Sequence, residues 1–108
     1  MFDWFEPELV VVSAGYDAHV RDPLAGMNVS TEGFGAMASR ISELASEYAG
    51  GIAYVLEGGY HLEGLSTAVE ATVAATTGHR GYQVGGAAGD QAREVIDQVR
   101  SNVAAMRG

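Results

Sequence analysis

Two short polar stretches hold the side chains whose types and spacing suit chemistry. The first, Ser-Ala-Gly-Tyr-Asp-Ala-His at residues 13–19, follows an apolar run and carries Asp17 and His19. At a strand end, side chains at i and i+2 point the same way, so Asp-x-His is compatible with two metal ligands. A catalytic zinc takes three protein ligands, and Asp22 is a third candidate. Asp22 before a proline also opens ordinary turns, and Asp17 after a glycine also caps loops, so both interpretations stay open.

The second stretch is Glu-Gly-Gly-Tyr at residues 57–60, again directly after an apolar run. The two glycines let the backbone approach a ligand closely, and the Tyr60 phenol then has its O–H free to donate to an oxyanion. Neither G-x-G-x-x-G nor a Walker pattern with its lysine is present, so a phosphate loop is not indicated. The alternative is a tight strand-to-helix turn with Tyr60 packed on the sheet.

The elements that position these stretches alternate between strand and helix. Apolar runs and turn signals predict a strand from Leu9 to about Ser13, a loop over 15–29, a helix from Ser30 or Thr31 to about Ala49, a strand over 52–56, a helix from about Glu63 to Thr77 and a last packing helix from about Asp90 to Met106. This order predicts an α/β fold with parallel strands and flanking helices (β-α-β-α plus a C-terminal helix). The first strand is apolar without alternation, so we expect it to be covered on both faces. Both polar stretches then lie at one edge of the sheet, where ligands bind in open α/β folds.

Composition narrows the function further. The chain has 108 residues, which suit at most one domain, and it has no cysteine, so a metal would be held by oxygen or imidazole. The net charge is −8 and all six basic residues are arginine, which disfavours nucleic acid as a partner. No run is long enough to span a membrane and the N-terminus lacks the pattern of a signal peptide, so we expect a cytoplasmic protein. Acidic, lysine-free composition is typical of proteins from salt-adapted organisms. The aromatic residues Phe2, Trp4 and Phe5 are expected to pack on the sheet edge or on preceding chain.

Three blocks of sequence carry a family resemblance. Residues 7–19, 22–26 and 55–60 resemble the C-terminal part of the histone deacetylase superfamily. The chain is most similar to the bacterial and archaeal class II-like branch, which includes acetoin-utilisation and acetylpolyamine deacetylases. The resemblance covers about two thirds of the chain. It implies a partial arginase/deacetylase-type fold, with residues 1–78 as the C-terminal part of a catalytic domain and 79–108 as a connection and packing helix.

The resemblance also implies roles for individual residues. Asp17 matches the last zinc-binding aspartate of the family, and Tyr60 matches the catalytic tyrosine that hydrogen-bonds the substrate carbonyl and stabilises the oxyanion. Leu24 matches a pocket residue, while Gly58 and Gly59 match the lining of the channel that takes the acyl-lysine arm.

Two further residues are placed behind the site by the same resemblance. His19 does not match a zinc ligand and is expected to be a supporting or structural residue. Asp22 is likewise expected to support the site.

The implied activity is zinc-dependent hydrolysis of acetyl-lysine, an acetylated polyamine or a related amide, with Zn²⁺ polarising the carbonyl and activating a water molecule. The family's paired histidines and its other two zinc ligands lie upstream of the matched blocks, and this chain has no counterpart of them. We therefore expect a C-terminal fragment that is inactive alone and needs the missing N-terminal portion of the same domain. One alternative is a non-catalytic remnant that acts as a binding or interaction module. Another, a different metal or nucleotide site on the same loops, would leave the three matched blocks as a coincidence.

Overall fold

The computed structural model describes residues 1–83 and 85–107 of the chain. Within them the elements are α1 (Phe2–Phe5), β1 (Val10–Ala14), α2 (Thr31–Tyr48), β2 (Ile52–Leu56), α3 (Leu62–Thr76) and α4 (Asp90–Arg107). The predicted strands and long helices are all present, with ends that agree to within a residue or so. The short helix α1 was not predicted. Val84, inside the predicted connection, and Gly108, at the end of the predicted C-terminal segment, lie outside the described residues.

Strands β1 and β2 form a two-stranded parallel sheet. Val10 pairs with Ile52 at one end and Ala14 pairs with Leu56 at the other. Helix α2 lies between the two strands in the chain and is the crossover that a parallel pair requires. The predicted α/β fold, with parallel strands and flanking helices, is therefore confirmed.

Side chains cap both helices that follow the strands. Ser30 accepts a hydrogen bond from the Gly33 N–H at the start of α2, and His61 accepts one from the Gly64 N–H at the start of α3. These caps fix where each loop stops and its helix begins. The loop that contains Tyr60 therefore ends at a defined residue, His61.

The core lies between the sheet and helices α2 and α3. Its buried residues are Ala14, Tyr16, Phe34 and Ala68, and Val12, Tyr54 and Leu65 are among the partly buried side chains around them. Inside it the Tyr16 hydroxyl donates to Thr72 Oγ1 at 3.0 Å, which satisfies the polar end of a buried aromatic side chain. Since Tyr16 directly precedes Asp17, this core anchors the first polar loop.

The prediction that β1 is covered on both faces is wrong for the described part of the chain. Val12 and Tyr54 face the helices, but Val11 is 59% exposed and Val55 is 52% exposed. Helices α2 and α3 pack on the same face of the sheet, and no described element covers the other face. An apolar run without alternation shows that a strand can be buried on both faces, but it does not supply the second layer.

Of the three N-terminal aromatic residues, Phe2 and Trp4 lie beside helices and Phe5 is 67% exposed. The Phe2 ring lies 6.3 Å from that of Tyr48, and the Arg107 guanidinium lies 5.6 Å from the Trp4 ring centre.

Helix α4, predicted to pack through an apolar stripe, buries none of its residues in the structure. In the described part of the chain, no helix has the length and apolar character needed to cross a bilayer.

Candidate active site

The two polar loops are joined by backbone hydrogen bonds beyond the end of the sheet. The Glu57 N–H donates to the Ala14 carbonyl at 3.0 Å, and the Tyr16 N–H donates to the Gly58 carbonyl at 2.7 Å. The parallel pairing thus continues past both strands. It brings the segment that carries Asp17 alongside Gly58, as the expected common sheet edge required.

The Asp17 carboxylate lies between two glycines. A Cβ atom on Gly58 would be 2.9 Å from Asp17 Oδ1, and a Cβ atom on Gly15 would be 3.1 Å from the same oxygen. Real Cβ contacts are longer than the first of these distances, so a side chain at position 58 would displace the carboxylate. Gly58, which the resemblance assigns to a substrate channel, makes room for Asp17.

Tyr60 follows Gly59, whose backbone conformation favours glycine. Gly59 has a φ of 139°, and a Cβ atom there would be 2.8 Å from Leu65 Cδ1 and 3.2 Å from Tyr16 Cβ. The tight turn this permits leaves the Tyr60 side chain 61% exposed. Its phenol makes no hydrogen bond to any other residue that the structure describes. The alternative in which Tyr60 packs on the sheet is therefore not what is found.

His19 is buried and uses both of its ring nitrogens. The Arg21 N–H donates to Nδ1 at 3.1 Å, so Nε2 carries the proton and donates to Thr31 Oγ1 at 2.9 Å. The ring also stacks on Phe34, with the two planes 9° apart. Neither nitrogen has a lone pair left for a metal in this arrangement, so the Asp-x-His spacing does not produce a pair of ligands here.

The hydrogen bond from His19 continues toward α3. Thr31 donates to Thr67 Oγ1 at 3.1 Å, and Thr67 donates to the Gly64 carbonyl at 3.2 Å. This chain ties the loop after β1 to the first turn of the helix that follows Tyr60. Sequence spacing held no signal for it, because the three side chains belong to separate elements.

Asp22 is buried, and both of its carboxylate oxygens accept backbone hydrogen bonds. Oδ1 accepts from the N–H groups of Leu24 at 2.8 Å and Ala25 at 3.2 Å, while Oδ2 accepts from the Tyr60 N–H at 2.9 Å. Burial raises the pKa of Asp22, but these three hydrogen bonds and the nearby His61 outweigh it and hold the pKa below its usual value. Asp22 is thus an acceptor for backbone groups, and the alternative in which it is a third metal ligand finds no support.

The turn that Asp22 closes presents Leu24 outward, with 71% of its side chain exposed. The Asp-Pro pair indicated this turn from sequence. The reach of the same carboxylate to Tyr60, 38 residues away, had no local signal.

Of the three predicted metal ligands, Asp17 has no hydrogen-bond partner for its carboxylate among the described residues, whereas His19 and Asp22 are both hydrogen-bonded. A carboxylate oxygen suits zinc. The described residues hold no group of three or more His, Asp or Glu side chains that could together bind a metal ion. They therefore fit a zinc site only as the source of one of its ligands.

A family model, several known proteins and a solved structure match this chain. The family model described as "Histone deacetylase domain" matches residues 1–76. The chain is similar to "Histone deacetylase 10, chloroplastic" from Oryza sativa subsp. japonica, with 51% identity over 75 residues, covering 68% of this chain and 17% of that protein. It is also similar to "Polyamine deacetylase HDAC10" from Homo sapiens, with 46% identity over 70 residues, covering 64% of this chain and 10% of that protein.

A solved structure, "Structure of the histone deacetylase Clr3", superimposes with a TM-score of 0.76 at 30% identity and covers 90% of this chain and 16% of that one. The chain thus spans between 10% and 17% of the lengths of these three proteins. The family match takes in both polar loops and both strands. Because it extends over well more than half of the chain, this protein belongs to the histone deacetylase family.

Proposed function

We propose that this chain supplies one half of the active site of a zinc-dependent deacetylase, which hydrolyses acetyl-lysine or a related acetyl amide. The observation that carries the proposal is the pairing of the two loops, in which Asp17 lies against Gly58, two residues before Tyr60. A carboxylate and a free phenol at one sheet edge are a metal ligand and an oxyanion donor. The names of the relatives, histone and polyamine deacetylases, support acetylated lysine or polyamine as the substrate class.

In this proposal Asp17 is one zinc ligand, and the remaining ligands come from outside the described residues. When bound, zinc polarises an amide carbonyl and lowers the pKa of a water molecule. The contribution of this chain is to hold the carboxylate in place. Gly58 and Gly15 leave the space that this carboxylate occupies, because a Cβ atom at either position would lie within 3.1 Å of its Oδ1.

Tyr60 is the proposed oxyanion donor. Its phenol is exposed, and no described residue accepts a hydrogen bond from it, so the O–H is free for a substrate. As the carbonyl oxygen gains negative charge in the transition state, a hydrogen bond from Tyr60 stabilises it more than it stabilises the ground state. Removing one such donor typically costs roughly 10²–10³ in kcat.

The substrate arm is proposed to run past Leu24 and the backbone of Gly58 and Gly59. Leu24 presents an exposed apolar surface of the kind that a methylene chain contacts. The absence of side chains at positions 58 and 59 leaves the main chain open to close approach.

The experiment combines zinc binding with reconstitution. The chain is mixed with the separately produced remainder of a family member's deacetylase domain, and hydrolysis of a fluorogenic acetyl-lysine substrate is measured. We expect no turnover and no tight zinc binding for the chain alone, and both for the mixture. Asp17→Asn should remove zinc binding, and Tyr60→Phe should lower kcat roughly 10²-fold or more while zinc binding is kept.

Two matched variants control for these substitutions. Asp97→Asn removes an exposed carboxylate on α4, and Tyr82→Phe removes a phenol in the connection, and neither should change turnover. Full activity of the reconstituted Tyr60→Phe variant would refute the proposal. Tight zinc binding by the chain alone that is lost in Asp17→Asn would show that the chain builds a site by itself. A mixture that binds zinc and acetyl-lysine peptide without turnover would favour the non-catalytic binding module.

A further inference from the structure

A single carboxylate connects the two loops of the proposed half-site. Asp22 Oδ1 closes the turn of its own loop through Leu24 and Ala25, and Asp22 Oδ2 receives the main-chain N–H of Tyr60. The residue is only 8% exposed. The three hydrogen bonds direct its two oxygens differently, one toward each loop.

In the described part of the chain, Asp22 is the hydrogen-bond partner of Tyr60. Its ring is largely exposed, and the residue before it, Gly59, is of the type with the greatest backbone freedom. The cap at His61 fixes the residue that follows, and Asp22 fixes the N–H of Tyr60 itself. The position of the phenol depends on where this main-chain group lies, because a small backbone rotation moves the end of a long side chain by much more.

The negative charge of Asp22 strengthens its hydrogen bond to the Tyr60 N–H. A carboxylate accepts stronger and shorter hydrogen bonds than a neutral carbonyl, and three N–H groups converge on this one. A serine in its place could still close the local turn, since its hydroxyl accepts from the N–H two residues on. It is too short to reach Tyr60, so the two functions of Asp22 are separable by substitution.

We propose that Asp22 is a positioning residue, which places the Tyr60 phenol by holding the Tyr60 main-chain N–H and keeps Leu24 in register with it. The effect on catalysis rests on the function proposed above. The geometric part, that Tyr60 is held by Asp22, does not depend on it.

The first test measures amide hydrogen exchange by NMR in the full chain. In Asp22→Ser, exchange at the Tyr60 N–H should become about tenfold faster or more, because a charge-assisted hydrogen bond is lost. Exchange at the Glu57 N–H, which donates to Ala14, should not change, and Asp97→Asn should alter neither. Asp22→Asn serves as a second variant of nearly the same shape, since its single amide oxygen can accept from one loop but not from both. Unchanged exchange at Tyr60 in both variants would overturn the proposal.

The second test uses kinetics of the reconstituted domain. Asp22→Ser should lower kcat by about tenfold with KM and zinc affinity kept, and it should cause no further loss when Tyr60 is already phenylalanine. Losses that multiply in the double variant would show that Asp22 acts on the fold in general, and would overturn the positioning role. If the reconstituted domain shows no activity at all, the function fails while the exchange experiment still decides whether Asp22 holds Tyr60.

Discussion

Gly58 lies so close to Asp17 that any side chain at position 58 would displace the Asp17 carboxylate. The Cβ atom of an alanine there would be 2.9 Å from Asp17 Oδ1 and 3.0 Å from its Cγ. Since the two residues lie on loops joined by the 2.7 Å hydrogen bond from Tyr16 to Gly58, neither loop can shift away freely. The carboxylate must therefore rotate or move.

This contact predicts that Gly58→Ala weakens zinc binding without unfolding the chain. The carboxylate would leave its position, and the reconstituted domain should lose zinc affinity by roughly tenfold or more, in the range seen when the support of a metal ligand is removed. Titration calorimetry measures the affinity, and circular dichroism reports whether the fold is kept. Gly81→Ala is the matched control, because a Cβ atom there meets nothing within 4 Å. Equal affinities for the two variants would contradict the prediction.

His19 should behave as a structural residue and not as a metal ligand. His19→Ala leaves Thr31 without its donor and opens a gap beside Phe34, so we expect the free energy of unfolding to fall by about 2–3 kcal/mol. Zinc affinity of the reconstituted domain should stay within a few-fold of the original. Urea denaturation and calorimetry on the same sample separate the two effects.

The opposite pattern, lost zinc affinity with stability unchanged, would restore the Asp-x-His interpretation. Thr31→Val provides an independent check. It breaks the same hydrogen-bonded chain at its next member, and it should lower stability without removing any candidate ligand.

Acid should destabilise the chain in part through Asp22. Hydrogen bonds from the backbone hold its folded-state pKa below the value in the unfolded chain, which is about 3.9. The ionised carboxylate therefore contributes stability that is fully present above pH ~4 and is lost as the pH falls through the folded-state pKa. Urea denaturation between about pH 3 and 6 should show a smaller acid loss in Asp22→Asn than in the original chain.

A second carboxylate provides the control for this pH dependence. Asp3 also has a lowered pKa, because the N-terminal ammonium group hydrogen-bonds it, and Asp3→Asn should remove a separate part of the acid loss. A curve for Asp22→Asn that runs parallel to that of the original chain would show that Asp22 does not contribute.

Sequence patterns predicted those elements whose ends carry local signals. Ser30 or Thr31 as the N-cap and the glycine pair after Ala49 predicted the limits of α2, whose N-cap is Ser30, and the apolar run over 52–56 is β2 without adjustment. Each of these depends on neighbours in the chain. The common edge of the two polar loops also followed, because parallel strands leave no other arrangement.

What the sequence did not predict depends on contacts between distant residues. The Asp22–Tyr60 hydrogen bond joins residues 38 apart, and the His19 side chain hydrogen-bonds Thr31, which lies on a different element. The left-handed backbone of Glu6, with a φ of 51°, ends a one-turn helix that no periodicity could indicate. Periodicity also shows which strand residues are apolar but not whether a second layer exists to cover them, which is why the open face of the sheet was missed.

That open face predicts self-association of the chain. Val11 and Val55 lie on the face that no described element covers, both more than half exposed, and beside them the sheet presents unpaired strand edges. Apolar sheet surface of this kind associates in water. Sedimentation velocity should show concentration-dependent species for the original chain and a shift toward monomer for the double variant Val11→Thr, Val55→Thr, which keeps side-chain shape and strand propensity. Val95→Thr, at an equally exposed apolar position on α4, should leave the distribution unchanged.

If this face receives the remainder of the domain, the double variant should also need more of the added portion to reach half-maximal activity. A single monomeric species at all concentrations for the original chain would mean that the exposed sheet is not an interface.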